Sequence, residues 1–244
     1  MPGCRKGIAP RWVAFVNGIM KPGDPFPVSC AICEVRKEKR FCPAIHGRIC
    51  PQCCGEQREV TLDCPSDCPY LQQARAHEKP RQAGDLDLSA LMPQVELPDS
   101  FLYEHEHLIM GLTFALTKRA HAQPDLHDAD LLSGTTALAR SYERLVNSGL
   151  HYEEPMQSPA HQEVAAELQN MVKEYREAEQ KHMGYTKLRD ADVLRGLVFL
   201  LRMGHARTSG RPKSRAFIEF LFAQFPDKPA GAGTSEERSR IILP

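Results

Sequence analysis

The sequence predicts a mainly α protein: a small, irregular cysteine-rich module with short strands, followed by an α-helical bundle. Three observations predict it. All nine cysteines precede residue 69, and eight of them lie between Cys30 and Cys68. From Asp99 onward, apolar residues recur every three or four positions, the period of a helix with one buried face. Capping residues, prolines and glycines cut that pattern into about five segments.

Composition divides the chain further. Residues 1–79 form the cysteine-rich module, 80–98 a linker, 99–225 the bundle and 226–244 a mobile tail rich in Pro, Gly, Ala and Ser. The 244 residues suit one or two domains, with 42% hydrophobic and 25% charged residues, close to a globular average. The 31 basic and 31 acidic residues cancel, so no global field draws the chain to nucleic acid or a membrane. No apolar run reaches the length of a membrane span. The N-terminal apolar patch is broken by Asn17-Gly18 and reads as a hairpin within the fold, not as a signal peptide. Clustered thiols without a signal peptide predict a reducing, cytoplasmic setting.

Each helix has its own signals. The first starts near Asp99-Ser100 and carries Phe101, Leu108, Leu112 and Leu116 on one side. The second follows Asp128 or Asp130, buries Leu131, Leu138, Tyr142 and Leu145, and stops at Ser148-Gly149. The third opens with Ser158-Pro159, a cap and a first-turn proline, and turns Val164, Leu168, Met171 and Tyr175 inward. The fourth, from about Asp190 to Met203, is apolar throughout GLVFLL and should be the most buried. The fifth begins near Pro212, contains AFIEFLFAQF and ends at Pro226. Such stripes need partners, and a bundle supplies them.

The cysteine spacing carries chemistry. Cys30-x2-Cys33 and Cys50-x2-Cys53 are separated by sixteen residues, the two-knuckle spacing of a tetrahedral thiolate zinc site. Pro51 and Gly55 suit the turn at the second pair, one by fixing φ and the other by permitting a reversed conformation. The remaining Cys42, Cys54, Cys64 and Cys68 make a candidate second site, interleaved with the first. In extended chain the neighbours Cys53 and Cys54 point to opposite sides, toward different ions. Pro69 after Cys68 opens a short helix with Cys68 as its cap, where free amides favour a thiolate. Cys4, His46 and His77 are alternative ligands. Arg36, Lys37, Lys39, Arg40, Arg48 and Arg58 lie among the thiolates and can offset their charge, although a solvated surface accounts for them equally well. The expected cofactor is zinc, two ions. An iron–sulfur cluster is the runner-up, since thiolates alone do not separate the two.

Outside the module, Arg202, Arg207, Arg211, Lys213 and Arg215 fall close together beside the start of the fifth helix. They make a candidate anion site. Glu104-x-x-His107 and Glu179-x-x-His182, with Glu143 and Glu219, have the spacing of di-iron carboxylate bundles, but this composition produces such pairs by chance. The chain has no Walker loop, dinucleotide fingerprint, nucleophile elbow or H-E-x-x-H, and no catalytic residue is assigned.

The stretch RFCPAIHGRICPQCCGEQREVTLDCPSDCPYLQQARAHE, with the later GRPKSRAFIEFL, resembles bacterial cysteine-rich proteins that pair a cysteine module with a helical C-terminal region. That resemblance implies the architecture and a cytoplasmic setting, and it carries no activity. The leading function class is therefore a zinc-stabilised binding or scaffold protein with a macromolecular partner, protein before nucleic acid. A nucleic-acid-associated zinc protein and an iron–sulfur or other redox protein are the alternatives. The 7% aromatic content and zero net charge weigh against nucleic acid.

Overall fold

The structure, a computed structural model, describes residues 29–77, 90–150, 152, 154–156 and 158–225. Cys4, the hairpin expected at Asn17-Gly18 and the tail at 226–244 lie outside them.

The fold is mainly α, with a short two-stranded sheet in the cysteine-rich module. The module holds β1 (Arg40–Cys42), β2 (Gly47–Ile49), α1 (Pro51–Gln57) and α2 (Pro69–His77). The strands pair antiparallel, with Phe41 opposite Arg48. The bundle follows as α3 (Asp99–Glu104), α4 (Glu106–Ala122), α5 (Asp128–Ser148), α6 (Pro159–Met183), α7 (Asp190–Arg207) and α8 (Ala216–Gln224).

Helices α4 to α7 close a ring: α5 packs on α6 and α7, and α4 packs on the same two from the other side. Their apolar stripes fill the space between, through Leu108, Leu112, Leu131, Leu138, Val164, Leu168, Leu197 and Val198. α7 is the central element, with Val193, Leu194, Leu197, Val198, Leu200 and Leu201 all buried. Gly149 and Gly184 end α5 and α6 in the left-handed conformation, where a Cβ would be strained.

Two helices approach closely where a side chain is missing. A Cβ on Gly134 of α5 would lie 2.7 Å from the Val164 Cβ and 2.8 Å from the His161 carbonyl oxygen of α6. The carbonyl cannot move without shifting α6. Gly134→Ala is therefore expected to cost about 2 kcal/mol by overpacking. A urea titration checks this; an unchanged midpoint would show that the helices separate freely.

Three elements differ from the sequence expectation. The first helix is two, because His105 adopts φ −122° and ψ 27° between α3 and α4. The break turns its ring against Phe101 and to within 3.9 Å of the buried Asp192 carboxylate. The fifth helix begins at Ala216, four residues after Pro212. Its free amides need an acceptor, and Asp128 at the start of α5 supplies it: Phe217 and Ile218 donate to its two carboxylate oxygens at 3.1 Å. Finally, residues 90–98, within the stretch read as linker, lie against the bundle. Val95 is buried in the core, and Arg202 donates to the carbonyls of Leu91, Met92 and Val95.

Candidate metal centre

The hairpin builds the first cysteine set. Ala31 donates its amide to the Arg48 carbonyl at 2.9 Å, and Lys39 to that of Ile49 at 3.0 Å. These bonds lay the Cys30–Cys33 turn along β2, so that Cys50, the residue after β2, arrives beside it. Glu34 follows the turn with φ 55°, and the Cys30 carbonyl accepts its amide. The reversed conformation expected at Gly55 is thus found at Glu34, while Gly55 lies inside α1.

Cys50 caps α1, Pro51 takes the first helical turn, and the Cys53 amide donates to the Cys50 sulfur at 3.3 Å. The four sulfurs of Cys30, Cys33, Cys50 and Cys53 lie within 4.8 Å of one another. All four are free thiols, and three are buried.

The local field favours a thiolate at Cys33 and Cys30 and opposes it at Cys53. Backbone amides of Arg36 and Val35 pull Cys33 down to about 6. Burial raises Cys30, but the amides of Cys33, Cys50 and Ile32 outweigh it and leave the thiol lowered. Cys53 is pushed up to about 12, first by burial and then by the neighbouring sulfurs. Four thiols this close cannot all ionise unaided, because each new charge raises the next. A divalent cation removes the conflict, and the donor set, its spacing and its N–H···S bonds fit a structural tetrahedral ion. Arg36 adds a cation here: burial works against its charge, but the neighbouring sulfurs of Cys33, Cys50 and Cys53 outweigh it and leave the guanidinium pKa raised.

Cys53 and Cys54 diverge because they sit on a helix, where neighbours differ by about 100° around the axis. The expectation of extended chain there is corrected. Cys42, Cys54, Cys64 and Cys68 line a cavity of ≈ 10 Å³ on the other side of α1. Among the described residues, no second group of three or more ligand atoms closes to the spacing of the first. Cys68 directly precedes α2, and its carbonyl accepts from Leu71 and Gln72. His46 and His77 are exposed and join neither set.

The five residues of the basic run are spread over separate contacts within the chain. Arg202 holds the carbonyls of residues 91, 92 and 95. Arg207 lies over Phe220, 4.3 Å from its ring centre. Arg215 donates to the Pro124 carbonyl. Arg211 donates to the Arg58 carbonyl at 2.8 Å, and Lys213 pairs with Asp63 at 2.8 Å. The amides of α8 are taken by Asp128. The acids and carbonyls these groups serve belong to the chain itself, and Arg211 and Lys213 serve those of the cysteine module.

Glu59 is the centre of that contact, and sequence reasoning missed it. Its φ is 53°, and it is 3% exposed. Its carbonyl accepts the Lys213 amide at 2.8 Å. Its carboxylate takes Arg75 at 2.7 Å and the Ser209 hydroxyl at 3.1 Å. Arg75 also pairs with Glu219 of α8. Nearby, the Lys213 ammonium and the His127 ring hold the Asp63 carboxyl below the usual range. A glutamate between Arg58 and Val60 gives no sequence signal of such a role.

The carboxylate–histidine pairs do not assemble. Glu104, His107 and His182 are exposed, Glu179 accepts from the amides of Lys187 and Leu188, and Glu219 pairs with Arg75. Among the described residues no helix is long and apolar enough to cross a membrane. Comparison of the chain with protein-family models, curated proteins and solved structures found no match.

Proposed function

We propose that the chain is a zinc-stabilised binding protein, acting in the cytoplasm, whose cysteine module presents a rigid surface to a partner protein. The observation that carries this reading is the four-sulfur set of Cys30, Cys33, Cys50 and Cys53. Four thiolates fill a tetrahedral ion and leave no position for a substrate, which favours a structural role over a catalytic one. Zinc rather than an iron–sulfur cluster is supported by the sixteen-residue separation of the two C-x-x-C pairs.

The module exposes apolar side chains that its own core does not use. Val35 is 86%, Phe41 53% and Ile45 40% exposed. These three belong to the knuckle and the hairpin, the parts the ion would hold rigid. A protein partner is favoured over nucleic acid because the cations at 202–215 are engaged within the chain.

The test has two arms. Natively purified protein is expected to be colourless and to contain zinc without iron. Ile45→Asp, in the hairpin turn and outside both cysteine sets, should keep its zinc yet lose a partner protein that the parent captures from its own cells. A brown, iron-containing protein would replace the zinc assignment, and a partner held equally by both forms would remove the hairpin from the binding surface.

A further inference from the structure

We infer that Cys42, Cys54, Cys64 and Cys68 bind a second soft divalent metal ion, and that this ion fastens the module to the bundle. The inference rests on the reading of the module as zinc-folded and adds a second centre to it. The four sulfurs come from separate places: the end of β1, the middle of α1, the loop after Leu62 and the residue before α2. The fold nevertheless brings them to one cavity of ≈ 10 Å³, room for about one water or ion. Cys42, Cys54 and Cys68 are buried, and all four are free thiols.

The remaining lining is mostly apolar, through Phe41, Ile49, Leu62, Tyr70 and Leu71. Water in such a place would find few partners, whereas thiolates suit a soft cation. The surroundings repeat one device of the first set, a nearby guanidinium: Arg40 donates to the Cys54 sulfur at 3.5 Å while stacking on Tyr70. The four are more widely spaced than the first set, and closure around an ion with metal–sulfur distances near ~2.3 Å would draw them in.

Position in the chain gives the second centre its consequence. Asp63, next to Cys64, takes the Lys213 ammonium and the His127 ring at 2.8 Å, and Cys68 opens α2, whose Arg75 pairs with Glu219. An ion that fixes Cys64 and Cys68 thereby steadies the segments that meet the bundle.

Elemental analysis of the full-length, natively purified chain tests this, followed by cobalt reconstitution. Two zinc per chain are expected, with thiolate-to-cobalt absorbance saturating at two equivalents. One zinc, with saturation at one equivalent, would overturn the second centre and leave the first standing. No zinc would overturn both. Cys64→Ala should remove one ion, lower the cobalt–thiolate absorbance by about half and speed hydrogen exchange at the Lys213 amide. An unchanged cobalt spectrum in that variant would also overturn the proposal. If Cys64→Ala does not fold, the parent's stoichiometry still decides.

Discussion

Cys50→Ser is expected to unfold the cysteine module while the bundle keeps its helices. The magnitudes decide this. The module's buried core is largely its own cysteines, with Ile49, Leu62 and Leu71 as the buried aliphatic members. Burying those three contributes roughly 1.5–3 kcal/mol each. Ordering the chain costs about 1–2 kcal/mol per residue, so three aliphatic side chains cannot hold residues 29–77. On the proposed zinc assignment, a structural ion would supply about 10–16 kcal/mol in apparent terms, enough to close the gap. Serine keeps the shape of cysteine but does not ionise at neutral pH, so one coordination position is lost. Cys50 also caps α1 through the Cys53 amide, so the helix start weakens with the site. The bundle has an independent apolar core across α4 to α8 and should not follow. Zinc content, hydrogen exchange and far-ultraviolet circular dichroism check this together. A variant that retains zinc and protects module and bundle amides equally with the parent would show that the ion does not hold the module.

The bundle was legible in the sequence because its signals are local. The Asp128 start, the Ser148-Gly149 stop and the proline after Ser158 each act within one helical turn, and α5 and α6 obey them. The first cysteine set was legible for the same reason: two C-x-x-C turns are local, and their separation is fixed by a hairpin. One miss was local: Gly55 suggested a reversed turn, yet the Cys50-Pro51 pair starts a helix there, the same signal that was assigned only to Cys68-Pro69. The rest was non-local. The basic run, a candidate anion site, gives no sign in the sequence of its partners within the chain, because few acids lie near it. Asp63, Glu59 and Asp128 are distant in sequence and arrive only when the module docks and α5 meets α8. The stripe from Phe101 to Leu116 could not reveal the break at His105, because its ring turns toward Asp192, a residue of another helix.

Glu59→Ala is expected to cost about 3 kcal/mol, concentrated at the contact between module and bundle. Breaking a buried ion pair costs about 3–5 kcal/mol. The low end applies because Arg75 retains Glu219 when Glu59 is cut back. Ser209 loses its acceptor as well, while the Lys213 amide keeps the backbone carbonyl of residue 59. Most of the loss should therefore appear at α2 and at residues 208–214, not in the core of α4 to α7. A second substitution separates side chain from backbone. Glu59 has φ 53°, a conformation that disfavours a Cβ by about 1 kcal/mol or more. Glu59→Gly removes the same carboxylate but relieves that strain, so it should lose about 1 kcal/mol less than Glu59→Ala. Denaturant titrations of the two variants, with hydrogen exchange to localise the change, decide the matter. Equal losses would mean that the left-handed backbone is not maintained in solution. No loss in either would mean that the carboxylate does not hold the module on the bundle, and Asp63 with Lys213, an exposed pair worth little, could not do so alone.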